Sequence, residues 1–154
     1  MAETITYITG VQKIKNRDLT LKSTITSKQR YENGKIVEQE ILAEENQITT
    51  GQKPPNVNIN LPAEVKPGEK YNFDVIVQEP LGEQIMLGAA LVEAINENSY
   101  NFKPTDFTLE VLSSGGLFKI GEAPENPEEQ WVSAVLMRKG GISINTYRLR
   151  VISE

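Results

Sequence analysis

The segment Asn56-Val57-Asn58-Ile59-Asn60-Leu61 alternates without exception between polar and apolar side chains. A period of two is the pattern of a β-strand that has one face in a core and the other in water. Three further segments show this period, with apolar sets at Leu19, Leu21 and Ile25, at Tyr71, Phe73, Val75 and Val77, and at Phe107, Leu109 and Val111. The alternation predicts an all-β fold in which each of these sets faces a core.

The dipeptide Asn33-Gly34 predicts the tip of a hairpin. Both residue types readily adopt positive φ, which a two-residue type I′ turn requires at both of its central positions. In the register that this turn sets, Tyr31 faces Ile36 and Glu32 faces Lys35.

Two segments also have a helical spacing. In residues 82–96, Leu87, Leu91 and Ile95 are four residues apart among alanines and glutamates, which suits a helix. The apolar run in the same segment is short and contains a glycine, which suits a strand buried on both faces. Residues 36–47 have the same ambiguity. We favour strands for both segments; a helix at 82–96 would make the fold α+β.

Composition changes near residues 49–55, TTGQKPP, which we interpret as a connector. Residues 1–52 are predicted to form an N-terminal β-hairpin extension that packs on the core. Residues 53–154 are predicted to form a β-sandwich, since they have about the length of an immunoglobulin domain.

Residues 61–75, LPAEVKPGEKYNFDV, resemble the opening of cysteine-free immunoglobulin-like modules of bacteria. In those modules a short strand ends at a proline, a Pro-Gly-Glu turn follows, and an alternating strand enters the space between two sheets. The resemblance covers residues 53–154, with 131–150 as the last two strands. It implies an immunoglobulin-like antiparallel β-sandwich without catalytic activity, often a spacer or adhesive unit of envelope or surface proteins.

The sequence contains neither cysteine nor histidine. This excludes disulfides, thiolate nucleophiles, Ser-His-Asp triads, and metal sites built on cysteine or histidine. The eighteen glutamates and three aspartates fall on alternating exposed faces or in loops, and they form no calcium-binding loop. We therefore predict no enzymatic activity, no cofactor and no metal site.

Charge is distributed unevenly along the chain: residues 1–35 carry a net +4, residues 36–129 a net −12 and residues 130–154 a net +3. An acidic middle argues against nucleic acid as a partner. The longest apolar run, residues 85–92, is too short to span a membrane. We expect the basic ends to lie beside each other or beside the acidic middle. The partner that we favour is another protein or a surface polymer, and the oligomeric state stays open.

The first residues have neither the basic nor the apolar segment of a signal peptide. Two interpretations remain open: a cytoplasmic protein, or one in which Ala2 follows a removed signal or anchor. Because the resemblance is to envelope modules, we favour an extracytoplasmic location, either periplasmic or anchored in the envelope.

The glycine pair Gly140-Gly141 predicts the turn of the last hairpin. A turn at this pair places Met137 opposite Ile144, Val135 opposite Thr146, Ser133 opposite Arg148 and Trp131 opposite Arg150. This face combines the single tryptophan with two arginines, and either arginine can stack on the indole ring. Tryptophan and arginine are enriched at binding hot spots. The candidate binding face therefore consists of Trp131, Ser133, Arg148 and Arg150; in the alternative, Trp131 caps the end of the core beneath the arginine stems.

A second candidate is a loop patch formed by Asn98, Tyr100 and Phe102, for which ordinary loop packing is the alternative. These features leave two hypotheses for function. The first is a protein-interaction or structural module of a bacterial envelope protein. The second is a β domain that binds a small ligand or a carbohydrate.

Overall fold

The protein was analysed as a computed structural model, which describes residues 1–78, 85–95, 107–112 and 116–153. Within these residues all regular secondary structure is β. The strands are β1 (Ala2–Ile14), β2 (Arg17–Glu32), β3 (Lys35–Thr50), β4 (Val57–Asn60), β5 (Glu64–Val65), β6 (Lys70–Val77), β7 (Leu87–Ala94), β8 (Glu110–Val111), β9 (Gly116–Glu122), β10 (Gln130–Arg138) and β11 (Gly141–Val151). The all-β prediction is confirmed, because both ambiguous segments contain strands, β3 and β7, and no helix is found among the described residues.

The described strands form two sheets. The large sheet has the strand order β1-β2-β3-β11-β10-β7-β8, and the short β5 pairs in parallel with the end of β11. The small sheet has the order β4-β6-β9, and its strands are antiparallel. One face of each sheet contributes to a common core, so the two sheets form a sandwich.

The core lies between β6 of the small sheet and β10 and β11 of the large sheet. Fully or almost fully buried side chains include Tyr71, Phe73 and Val75 from β6, Val132, Ala134 and Leu136 from β10, and Leu149 and Val151 from β11. Val57, Ile59, Leu61 and Val77 pack against these residues. The alternating segments of β4 and β6 therefore face the core, as the sequence predicts.

The first three strands form an antiparallel meander, which we call the N-terminal meander (β1, β2 and β3). β1 pairs with β2 along its whole length, β2 pairs with β3, and residues 45–50 of β3 pair with β11. The sequence predicts a hairpin that packs on the core. The structure instead shows three strands that extend the large sheet from its edge.

Both turns of the meander are two-residue turns with positive φ at both positions. The angles are 47° and 68° at Lys15 and Asn16, and 53° and 78° at Asn33 and Gly34. These values identify type I′ turns, whose twist matches that of the flanking strands. The predicted hairpin at Asn33-Gly34 is confirmed, including the pairs that flank its turn, Tyr31 with Ile36 and Glu32 with Lys35.

Two predicted core faces are wrong. The set Leu19, Leu21 and Ile25 lies on the face of the large sheet that points away from the core, where Leu21 is paired with Ile48. At β8 only two residues pair with β7, and both Phe107 and Val111 are exposed. The buried side chain there is Leu112, which has the opposite parity. A Cβ atom on Gly88 would lie 2.9 Å from Leu112, so a glycine in β7 makes room for this leucine.

Candidate functional site

The last hairpin turns one residue earlier than its glycine pair predicts. Lys139 and Gly140 form the turn, and Arg138 is paired with Gly141. The observed pairs are Met137 with Ile142, Val135 with Ile144, Ser133 with Thr146 and Trp131 with Arg148. The predicted pairs are wrong by two residues on β11. Because the side-chain period of a strand is two, every residue still lies on its predicted face.

The glycine pair is explained by close packing. A Cβ atom on Gly140 would lie 2.6 Å from the carbonyl oxygen of Lys53, and one on Gly141 would overlap the carbonyl oxygen of Thr50. The guanidinium of Arg138 donates hydrogen bonds to the carbonyl oxygens of Lys53 and Pro54. The hairpin end is thus held against the connector, and glycine is needed for that approach.

The four residues of the candidate binding face share the outer face of the large sheet, opposite in parity to the core residues of β10 and β11. Ser133 is buried, and its hydroxyl is 3.1 Å from that of Thr146. Trp131 is partly buried. The guanidinium of Arg148 lies over its indole ring, 4.7 Å from the ring centroid. This distance is within the range of a cation–π contact.

Arg148 is also enclosed by carboxylates. Its guanidinium donates hydrogen bonds to Glu44 of β3, with an N–O distance of 3.2 Å in the ion pair, and to Glu129 in the segment before β10. The side chains of Arg148 and Glu44 are only 10% and 14% exposed. Desolvated charge-assisted hydrogen bonds of this kind are stronger than ion pairs at an open surface.

Arg150 has a similar environment. It forms ion pairs with Glu40 of β3 and with Glu64 of β5, at 3.4 Å in the second case, and lies 4.0 Å from Glu129. Its side chain is largely buried. The two arginines of the basic C-terminal segment therefore contact glutamates from the acidic middle of the chain.

We call this group the arginine cluster and define it as Trp131, Arg148, Arg150, Glu40, Glu44, Glu64 and Glu129. It joins β3, β5, β10, β11 and the segment that leads into β10. The only indole is covered by Arg148, and both guanidinium groups are occupied by carboxylates within the protein. The geometry suits a structural junction better than a site that accepts an anion or a sugar ring.

The second candidate site, Asn98, Tyr100 and Phe102, lies outside the described residues. No group of three or more histidine, cysteine, aspartate or glutamate side chains that suits a metal ion is found in residues 1–78, 85–95, 107–112 and 116–153. In the same ranges no helix is long and apolar enough to cross a membrane.

A cleft of about 580 Å³ lies where the Lys15–Asn16 turn, the connector and the Lys139–Gly140 turn meet. Its lining includes Arg17, Asp18 and Met137 together with backbone of the two glycines. Four of its lining residues are charged, whereas small-molecule sites are mostly apolar with a few converging polar groups, so we assign no ligand to this cleft.

Tyr147 of β11 has a pKa far above the ordinary value of a tyrosine. Burial, together with the nearby carboxylate of Glu45, raises the pKa of Tyr147 to about 12. Both effects disfavour the phenolate. The tyrosine is therefore neutral in the folded protein at any physiological pH.

This shift predicts a loss of stability in alkali. An unfolded chain ionises its tyrosines near pH 10, so the unfolded state binds fewer protons than the folded state between pH 10 and about 12. The contribution of Tyr147 is fully present below pH 10 and is lost as the pH rises through this window. We expect Tyr147→Phe to lose less stability than the wild type across it, as measured by urea unfolding at a series of pH values. Tyr31→Phe, at an exposed position, is the control, and equal pH slopes for all three proteins would contradict the assignment.

Sequence reasoning missed the feature that stands out most in the structure, the exposure of β1. Nearly every residue from Glu3 to Asp18 is exposed, including Tyr7 at 74% and Val11 at 70%. The Ile5 and Ile8 side chains, of opposite parity, are exposed as well. Two features of the sequence indicate this strand and its end. The run TITYIT at residues 4–9 has high β-propensity, and Asn16 is a residue type that readily takes positive φ in a turn.

The fold and the arginine cluster define an all-β sandwich whose candidate site is a closed ion-pair network. The chain belongs to the family described as a domain of unknown function, DUF8623, whose model matches residues 52–152. The matched range begins after the N-terminal meander, which precedes it in the sequence. No curated protein and no solved structure matches this sequence.

Proposed function

We propose that this protein is a non-enzymatic interaction or structural module of a bacterial envelope protein, and that its contact surface is β1 of the N-terminal meander. The observation that carries the proposal is the exposure of large apolar side chains on both faces of an edge strand. Ile5, Tyr7 and Val11 are exposed on one face, and Ile8 and Ile14 on the other.

Edge strands of this kind are usually protected. Proteins blunt them with charged residues, prolines or bulges, because an open edge pairs with other chains. From Thr4 to Gln12, β1 contains no charged residue and no proline, and its pairing with β2 has no register shift. An exposed apolar edge without such protection is expected of a strand that pairs with a partner.

The arginine cluster supports the assignment of β1 as the contact surface, because its geometry argues against a carbohydrate site at Trp131. A carbohydrate site usually offers an open aromatic face, whereas the indole of Trp131 is covered by Arg148. The envelope location is supported by the resemblance of residues 61–75 to bacterial immunoglobulin-like modules. The absence of histidine and cysteine supports a role without catalysis.

Site-specific photocrosslinking tests the proposed surface, because it captures a bound partner whatever its identity. A photoreactive phenylalanine derivative replaces Tyr7 on β1 or, as the matched control, Ile120 on β9. Both positions are highly exposed on strands of the sandwich. In cells that make the natural protein, we expect crosslinked protein adducts from position 7 and none from position 120. Adducts from position 120 alone, or from neither position, would contradict the proposal.

A further inference from the structure

The backbone of β1 has a defined pattern of used and unused hydrogen-bonding groups. In a two-residue hairpin the residues that flank the turn, here Ile14 and Arg17, exchange both backbone hydrogen bonds. Even-numbered residues of β1 therefore bond to β2, and odd-numbered residues point their N–H and C=O groups outward. Among the described strands only β2 pairs with β1.

We infer that this edge pairs with β1 of a second copy of the chain, antiparallel and around a two-fold axis at Ile8. In this register Ala2 lies opposite Ile14 of the second copy, so the strands overlap over their whole length. Odd residues lie opposite odd residues, and all their outward backbone groups form hydrogen bonds. The two large sheets become one continuous sheet.

The side chains match in this register. Ile5 faces Val11 of the second copy, and Tyr7 faces Thr9. On the other face, Ile8 meets its own equivalent at the axis. Apolar and β-branched side chains that are exposed in one copy thus become cross-strand pairs, which are the units that stabilise sheets.

Charge selects the same register. The two charged side chains of β1 are Glu3 and Lys13, near its opposite ends, and this pairing places them opposite each other twice in the dimer. Within one copy, Glu3 is paired with Lys28 and Lys13 with Asp18. Four side chains therefore form a row across the interface in which positive and negative charges alternate. Lys28 and Glu3 belong to one copy, and Lys13 and Asp18 belong to the second copy. Such complementarity points to a copy of this chain rather than to an unrelated strand.

The proposed dimer rests on the proposed function, because both assign β1 as the contact surface. Different results of the crosslinking experiment would contradict each of them. An adduct from position 7 to a different protein, with no adduct between two copies, leaves the proposed function standing and overturns the dimer. Absence of any adduct from position 7 overturns both.

Analytical ultracentrifugation of the full chain over a series of concentrations tests the pairing. Thr9→Pro removes an outward N–H and leaves the bonds to β2 in place. Two intermolecular hydrogen bonds are lost in each dimer, so we expect dissociation to become about a hundredfold easier. Thr9→Val keeps the N–H and is the matched control, expected to dimerise like the wild type. Circular dichroism and thermal unfolding of both variants verify that each copy remains folded.

Charge reversal tests the register. Glu3→Lys or Lys13→Glu alone replaces two attractive pairs with two repulsive ones, which we expect to weaken the dimer about tenfold. The double variant restores attraction between copies, so its dimer affinity should return to near the wild-type value. Inside one copy the double variant opposes like charges twice, at Lys28 and at Asp18, so effects within the meander cannot produce this rescue.

A protein that stays monomeric at every concentration overturns the inference. So does a dimer that survives Thr9→Pro, because it must use another surface. Species larger than a dimer would indicate head-to-tail pairing of β1 with a different edge, and they overturn it too. If the double variant does not regain a dimer affinity near the wild-type value, the proposed register is wrong.

Discussion

Replacing Leu136 with alanine is expected to lower the free energy of unfolding by about 3–4 kcal/mol. Leu136 is 0% exposed and lies two residues before the end of β10, on the face that meets the small sheet. Its truncation removes buried apolar area and leaves a cavity, which backbones paired on both sides of β10 cannot close. Urea unfolding followed by tryptophan fluorescence gives the value.

The control for this prediction is Ile120→Ala. Ile120 lies on the outer face of the small sheet and is 75% exposed, so its truncation should change stability by less than about 0.5 kcal/mol. If Leu136→Ala were as mild as the control, the core would not lie between the two sheets.

The fold class follows from the sequence because alternation is a local property. Tyr71, Phe73 and Val75 face the core because a spacing of two residues places them on one face of a strand. Asn33-Gly34 forms a turn because both residues adopt positive φ. The helical spacing of Leu87 and Leu91 in β7 arises differently. Their strand places the small residues Gly88 and Ala90 toward the core, so alternation is hidden where the core leaves little room.

The predicted site was less accessible to sequence reasoning because register depends on contacts distant in sequence. The glycine pair is equally compatible with a turn at residues 139–140 and with a turn at residues 140–141. The connector that packs on the glycines determines which of the two turns forms. The glutamates that surround Arg148 come from β3 and from the segment before β10. Nothing local to the last hairpin identifies them as its partners.

Replacing Arg148 with alanine is expected to lower the free energy of unfolding by about 2–4 kcal/mol, because it leaves buried carboxylate charge without compensation. Glu44 has little access to water, and it loses the guanidinium that donates to it. The stacking contact with Trp131 is lost as well. Chemical denaturation at neutral pH measures the change.

Arg30→Ala is the matched control for Arg148→Ala. Arg30 also contacts two glutamates, Glu32 and Glu38, but its side chain is 44% exposed, so water screens these ion pairs and the loss of Arg30 should cost much less stability than the loss of Arg148. A large difference between the two variants would identify the arginine cluster as a junction that holds β3 against β11. Equal and small effects would return Trp131 and its arginines to consideration as a binding face, because tryptophan and arginine are enriched at binding hot spots.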